Sequence, residues 1–360
     1  MNLFKRIRPR KKVKINAGLP PGTIVFTGKQ RVDDVSIHYL EFNEEELKEE
    51  TCTPGEFIEF HRPMDKYLQW YDVRGLHDTD LIQNLGSTFK MHPLIQEDIV
   101  NTTQRPKYEE FEDGIFLCLR ALSFDKEHLD LQYEQVSIFF HKHHVLSFQE
   151  QDEDLLINIR ERIRASHGKV RTSDGDYLAY AIMDLITDHY FEVMEQIQDV
   201  LTELEDEISL STSREIKGKI LNMRTQLIRA RKAIYPLREV INEFSRSDSP
   251  IIHQETVPYV RDSYDHVIQL MDMVETARES LTGIQDLYAT EISFKMNKVM
   301  QFLAVVTTLF VPITFLAGLY GMNFVNIPEL QHENGYFILL GVMALVTITL
   351  ILYFKRKGWF

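Results

Sequence analysis

Six residues near the C-terminal end of the sequence recur at steps of three and four positions within a largely apolar segment. They are Asn297, Met300, Leu303 (or Ala304 beside it), Thr307, Val311 and Thr314. This spacing places residues on one side of an α-helix, so they would form one stripe that is polar at some levels and apolar at others. Such a stripe could line a hydrated path for an ion, although small and hydroxylated residues also serve to pack helices together.

A second polar group follows this segment directly, at Gly321, Met322 and Asn323. Hydrated divalent cations prefer oxygen ligands. The neutral carbonyl oxygen of Asn323 could therefore contact such an ion through its first-shell waters. Gly321 would permit a tight turn at the helix end, and Met322 would pack that turn. The alternative is a simple helix cap, because glycine and asparagine both favour left-handed C-terminal positions.

Other chemistries have less support in the sequence. We find no phosphate-cradling loop, no nucleophile with a partnered base and no metal-hydrolase spacing, so we expect no enzyme. Cys52 and Cys118 are the only cysteines, which predicts neither a disulfide framework nor a structural zinc site. The run 141–144 holds three histidines and could bind a transition metal, but a turn between strands is the simpler interpretation. The net charge of -14 disfavours a nucleic-acid partner and suits a cation.

Two uncharged apolar segments would position the stripe and the polar group that follows it. Residues 302–320 and 335–354 are each long enough to cross the ~30 Å hydrocarbon core of a membrane. A buried helical hairpin of a soluble protein is the alternative. Basic residues precede the first segment and follow the second at 355–357, whereas the connection over 321–334 has none. This bias predicts a multi-pass protein of the cell membrane with both termini in the cytoplasm. Pro312, inside the first segment, is a candidate hinge.

The remaining chain is polar enough to lie in water. Alternating apolar runs predict strands over 35–40, 115–122 and 136–140, with short helices over 80–88 and 94–100. The predicted order is a basic flexible tail (1–20), an α/β domain (21–170), a helical hairpin (171–250), a long stalk helix continuing into the first span (251–320), and a basic tail (355–360).

The stalk has a series of residues at alternating four and three residue steps, apolar except at two positions. The series is Val260, Tyr264, Val267, Met271, Val274, Arg278, Leu281, Gln285, Tyr288 and Ile292. A helix from the start of the stalk through the first span would extend on the order of 90 Å, too far to be covered by its own chain. We therefore expect partner chains to cover it.

The Gly-Met-Asn group after the first of two C-terminal spans resembles the signature of the CorA family of divalent-cation channels. The resemblance extends upstream and covers nearly the whole chain after about residue 20. It is carried by 92–99, 104–107, 111–113, 235–239 and 255–262. The resemblance implies a funnel-like homopentameric channel embedded in membrane lipid. It also implies regulatory magnesium between neighbouring subunits, at Asp98 and Asp262, with Glu97 beside Asp98. Val311 is smaller than the methionine expected from the family at that level of the stripe.

The function that this resemblance implies is influx of Mg²⁺, with Co²⁺ and Ni²⁺ as further candidate ions. Asn323 would select the hydrated ion, and cytoplasmic magnesium would close the gate. A zinc transporter of the same superfamily is the nearest alternative, and the upstream match favours magnesium. A membrane-anchored sensor or scaffold that does not conduct is another, but a mere anchor would gain nothing from a polar stripe.

Overall fold

The computed structural model describes residues 20–60, 64–323, 327 and 332–359. The basic tail predicted over 1–20 therefore lies almost wholly outside the described residues. The chain divides into two compact units. The first unit runs to Leu204 and includes Lys217–Thr282, and the second contains Glu205–Ile216 and everything from Gly283 onward.

A seven-stranded mixed sheet organises the first unit, with the strand order β2-β1-β3-β7-β6-β5-β4. The strands are β1 (Ser36–Phe42), β2 (Leu47–Cys52), β3 (Leu68–Arg74), β4 (Lys107–Phe111), β5 (Gly114–Asp125), β6 (Asp130–Phe140) and β7 (His144–Gln149). Neighbours are antiparallel except β3 and β7, which run parallel with Trp70 opposite Val145. β5 and β6 carry long apolar runs and are almost entirely buried. The predicted α/β domain is confirmed.

Three short helices pack against this sheet: α1 (Pro54–Phe60), α2 (Thr79–Thr88) and α3 (Pro93–Val100). Asp78 caps α2 by accepting a hydrogen bond from the Leu81 amide at 2.9 Å. Pro93 opens α3, a position where its missing N–H costs no helical hydrogen bond. Leu85 and Ile95 enter the same buried cluster as Tyr71 and Phe139 of the sheet. Burial of this apolar surface is the main favourable term for the fold of the domain.

A buried ionic network fixes the helix α4 (Ile157–Arg164) to the sheet. Asp72 on β3 is fully buried and accepts hydrogen bonds from Arg160 Nη1 at 2.9 Å and Arg74 Nε at 3.2 Å. Ser147 and Gln149 of β7 also donate to it, each at 2.6 Å. The carboxylate thus has four donors from three elements, which is how a buried charge remains tolerable.

Four long helices follow: α5 (Gly175–Leu210), α6 (Arg214–Arg246), α7 (Val257–Tyr320) and α8 (Gly335–Arg356). In the first unit, α7 buries two columns of residues at strict heptad spacing. One column is Val260, Val267, Val274 and Leu281, and the other is Ser263, Leu270 and Ala277. The first column belongs to the series predicted from the sequence. Of the other members of that series, Tyr264 and Met271 are half-buried and Arg278 is exposed within this one chain. The seam buries small and aliphatic residues and leaves the larger polar ones at its edge.

The second unit contains the two segments that are long and apolar enough to cross a membrane, one in α7 and the other forming α8. Both helices are almost uncovered there, unlike the core helices of a soluble domain. α7 continues as a helix through Pro312 to Tyr320. The long helix and the two apolar C-terminal helices predicted from the sequence are confirmed.

Candidate ion path and cation sites

The six stripe residues share one exposed face of α7. Met300, Leu303 and Val311 are 55%, 63% and 58% exposed, so neither the hairpin nor the rest of the chain covers them. The Thr307 hydroxyl donates to the Leu303 carbonyl at 2.8 Å, within its own helix. Its oxygen lone pairs remain available to water, because a hydroxyl can donate and accept at the same time.

The opposite face of α7 is the one that the hairpin covers. Between 305 and 316, the less exposed residues are Val305, Val306, Leu309, Pro312, Ile313 and Leu316. α8 has a matching face, whose less exposed members are Leu339, Met343, Val346, Thr347, Leu350 and Phe354. Both sets recur at three and four residue steps, as expected for two helices packed along their length. The stripe is therefore not used to hold α7 against α8, which speaks against the helix-packing interpretation within one chain.

The Gly-Met-Asn group continues the last turn of α7. The Gly321 amide donates to the Ala317 carbonyl at 3.0 Å and the Met322 amide to the Leu319 carbonyl at 3.4 Å. Neither Gly321 nor Asn323 has a positive φ. The alternative of a left-handed cap is therefore not supported, and Gly321 ends the helix without the conformation that only glycine adopts easily. Met322 was expected to pack the turn, but it is 44% exposed. Asn323 is also exposed.

Asp98 lies at the end of α3 and is only 7% exposed. Lys107 Nζ and Gln104 Nε2 both donate to its carboxylate, and Lys107 also contacts Glu109 at 2.9 Å. Burial raises the pKa of Asp98, and the hydrogen bonds from Lys107 and Gln104 oppose that rise only in part. A cation that binds this carboxylate must therefore compete with the Lys107 ammonium group.

The other two acids proposed for regulatory magnesium have separate partners. Glu97 accepts a hydrogen bond from the Gly22 amide at 2.7 Å. Asp262 lies on α7 with a side chain that is 71% exposed, and His266 Nε2 is 3.9 Å away. Among the described residues of this single chain, no three His, Cys, Asp or Glu side chains come together as a metal site.

The histidine-rich turn joins β6 to β7, as predicted. Burial lowers the pKa of His144 to about 3, so this imidazole is neutral at physiological pH. His143 Nδ1 lies 4.0 Å from an oxygen of Asp174. The turn belongs to no cluster of metal-ligating side chains in the described part of the chain, which leaves the transition-metal hypothesis without support.

Sequence reasoning missed the partners of the proposed regulatory acids. Lys107 and Gln104 were noted only as part of a family resemblance, and His266 was not singled out. His266 was detectable because it lies four residues after Asp262 on one helix face. Lys107 was not, since its approach to Asp98 depends on how β4 is positioned beside α3.

The chain matches the family described as "CorA-like Mg2+ transporter protein" over residues 65–356. It is 41% identical over 349 residues to the "Cobalt/magnesium transport protein CorA" of Thermotoga maritima, which covers 97% of this chain and 99% of that protein. It is 21% identical over 275 residues to the "Zinc transport protein ZntB" of Yersinia pestis, covering 76% of this chain and 83% of that protein.

The structure of the CorA magnesium transporter from Methanocaldococcus jannaschii matches with a TM-score of 0.76 at 24% identity, covering 91% of this chain and all of that one. That likeness supports the fold. Since the family match spans most of the sequence, and the Thermotoga maritima relative aligns along nearly its whole length, this chain is a member of the CorA-like Mg2+ transporter family.

Proposed function

We propose that this chain forms a homo-oligomeric channel, a pentamer, that carries Mg²⁺ across the cell membrane into the cytoplasm, with Co²⁺ and Ni²⁺ as further permeant ions. The Thermotoga maritima relative is named for cobalt and magnesium transport. The relative named for zinc transport is much more distant in sequence. Basic residues lie before the first span and after the second, and both of these ends would lie on the cytoplasmic side.

The observation that carries this proposal is the separation of two faces on α7. One face packs in the hairpin, and the other presents Asn297, Thr307 and Thr314 to the outside of the chain. A polar face on a membrane helix is costly against lipid, so it is expected to face water or neighbouring subunits. Copies of α7 arranged around an axis would surround a path that ends beside their Asn323 side chains.

The ring of Asn323 side chains would select ions by charge and hydration. Neutral carbonyl oxygens hold the first-shell waters of Mg²⁺ by hydrogen bonds, without the cost of stripping them. Because no carboxylate takes part, the ion is not trapped and can move on. Gly321 and Met322 would bring the asparagine to the mouth of the path.

Closure would depend on cytoplasmic magnesium at Asp98 and Asp262, with Glu97 close by. Carboxylates from neighbouring subunits repel one another, and a divalent ion between them would hold the subunits together in the closed state. The exposed position of Asp262 supports a role at a subunit boundary.

The test compares Mg²⁺ influx for the intact chain and for Asn323→Ala. The protein is placed in vesicles loaded with a magnesium-sensitive dye, under an inside-negative potential. We expect influx to fall about tenfold or more in the variant, because the ring loses its only oxygen ligands. Asn334→Ala is the matched control, since Asn334 is exposed, follows the same connection and makes no capping hydrogen bond through its side chain.

Each other outcome has a definite meaning. Equal loss in both variants would mean that the connection, and not the ring, was disturbed. If neither the intact chain nor the variants pass Mg²⁺ but the intact chain passes Zn²⁺, the zinc transporter is the correct alternative. If no divalent ion passes, the chain is an anchor or sensor.

A further inference from the structure

The C-terminal end of α8 is closed by a hydrogen-bonded cap. Gly358 has a φ of +71°, its amide donates to the Lys355 carbonyl at 3.2 Å, and the Trp359 amide donates to the Phe354 carbonyl at 3.1 Å. These two bonds are the pair that defines a Schellman cap, in which glycine takes the left-handed position. The Trp359 ring stacks on Phe354 with centroids 5.4 Å apart. The cap therefore folds Trp359 back beside the apolar hairpin.

Trp359 closes one side of a cavity between the end of α8 and α7. The cavity has a volume of about 490 Å³ and is lined by Phe302, Val305 and Gln301 of α7, with Gly358 and Trp359 opposite them. Lys298 also lines it. Val305 is only 4% exposed, whereas Trp359 is 42% exposed. The lining of this slot is thus apolar at Phe302, Val305 and Trp359 and polar at Lys298 and Gln301.

One cationic residue, Lys298, lines this slot, and three more immediately precede Gly358 and Trp359 in the chain. Lys298 precedes the first apolar segment, and Lys355, Arg356 and Lys357 occupy the last turn of α8 and its cap. All four are exposed, and no acidic side chain pairs with any of them within the described part of the chain. Positive charge of this density beside an apolar slot, at the level where a membrane hairpin leaves the hydrocarbon, matches an anionic group attached to an acyl chain.

We propose that this slot binds an anionic glycerophospholipid. The lipid phosphate would accept hydrogen bonds from Lys298 and from the basic turn of α8, and the upper part of one acyl chain would lie along Phe302 and Val305. Trp359 would sit at the interface, where an indole ring can be apolar on its faces and donate through its nitrogen. The role of Gly358 is to hold Trp359 in this position.

The intact chain is well suited to a fluorescence test because it contains two tryptophans. Trp70 is fully buried in the α/β domain, beyond the reach of a quencher confined to lipid. Full-length protein is placed in phosphatidylcholine vesicles with a minor fraction of phosphatidylglycerol. The acyl chains of one lipid or the other are brominated near the headgroup, and quenching of Trp359 is measured.

We expect brominated phosphatidylglycerol to bind at Trp359 at least about fivefold more strongly than brominated phosphatidylcholine. This is the ratio of affinities that one favourable contact between a lysine and an anionic headgroup would give. Lys298→Gln should remove most of this preference, and Gly358→Ala should weaken it by releasing Trp359 from its cap. Lys295→Gln is the matched control. It removes the same charge one helical turn earlier on α7, from a residue that does not line the slot.

Three results would overturn the proposal. Equal quenching by both lipids would mean an ordinary lipid boundary without headgroup recognition. Equal loss of preference in Lys298→Gln and Lys295→Gln would mean attraction by overall charge. Quenching by neither lipid would mean that another copy of this chain occupies the slot.

Discussion

The pKa values of two buried carboxylates in the α/β domain are shifted in opposite directions. Burial by itself would raise the pKa of Asp72, but the guanidinium groups of Arg160 and Arg74 outweigh that effect and lower it. Glu134 has no such partner at contact distance. Its carboxylate accepts from the Glu150 and Gln151 amides at 2.7 and 2.8 Å, yet burial and the nearby Glu150 raise its pKa to about 7. Ionised Glu134 is therefore a cost to the folded state near neutral pH.

This difference predicts a pH-dependent gain in stability for Glu134→Gln. The folded pKa of about 7 lies above the unfolded value of 4.5, so ionisation above pH 7 destabilises the intact protein, and this penalty disappears as the pH falls toward 4.5. The glutamine oxygen can still accept the two backbone hydrogen bonds. We expect the variant to be more stable by about 2–3 kcal/mol at pH 8, with the difference shrinking as the pH falls and vanishing below the unfolded pKa of 4.5.

The measurement is thermal unfolding of the full chain in detergent, followed by Trp70 fluorescence at several pH values. Glu153→Gln provides the control, because Glu153 is an exposed carboxylate of the neighbouring segment. A constant gain at all pH values would show that packing rather than charge was changed.

At the scale of elements, α7 combines two different environments in one continuous helix. Its first part buries a heptad seam that includes Val267 and Leu270, and its last part is covered on one face only. Within the apolar segment, Thr314 belongs to the stripe and Ile313 to the covered face, although they are neighbours in sequence. Successive residues of a helix point about 100° apart, which makes adjacent positions a sensitive test of which face meets water.

A cysteine placed at each of these two positions should report the difference. We expect a small, charged, water-soluble thiol reagent to reduce Mg²⁺ influx several-fold in vesicles containing Thr314→Cys. Influx through Ile313→Cys should be unaffected, because only position 314 lies on the proposed ion path. The intact chain gives the baseline, since its own Cys52 and Cys118 lie in the α/β domain. If the reagent reduced influx only through Ile313→Cys, the ion path would lie on the face of α7 opposite the stripe, and the proposal would be contradicted.

At the scale of the whole molecule, a single chain leaves its proposed sites incomplete. The Asn323 side chain cannot form a ring by itself, and among the described residues Asp262 belongs to no group of three or more metal-ligating side chains. Large apolar side chains of α7, such as Phe294 and Met296, are 60% and 62% exposed just before the first apolar segment. Such residues are expected to be covered by membrane or by other copies of the chain.

Light scattering should give a protein mass of about five times 42.3 kDa in detergent.

Magnesium should stabilise this assembly through Asp262. We expect Mg²⁺ to protect the full-length protein from trypsin, with a midpoint concentration raised about fivefold or more in Asp262→Asn, because one charged ligand is lost. Asp262 is exposed, so the substitution should not disturb folding. Asp265→Asn, an exposed acid on the same helix, should keep the original midpoint. Equal shifts in both variants would indicate non-specific screening of the acidic surface.

The sequence determined those features that depend on local composition and period. Two uncharged apolar segments, the polar stripe and the alternation of strands in the α/β domain are all readable from neighbouring residues, because burial along one element repeats with its period. One column of the heptad seam in α7 was also found in this way. The second buried column, Ser263, Leu270 and Ala277, was not part of the predicted series.

Only the tertiary structure decided which face of a helix is covered and which charges meet. The hairpin contact with α8 selects one face of α7 and leaves the stripe free, and the sheet brings Lys107 to Asp98 from another element. The backbone of Gly321 proved ordinary, whereas Gly358 takes the left-handed conformation and turns Trp359 back along α8. These outcomes depend on contacts between residues distant in sequence, or on backbone angles set by the surrounding packing. Local periodicity does not contain that information.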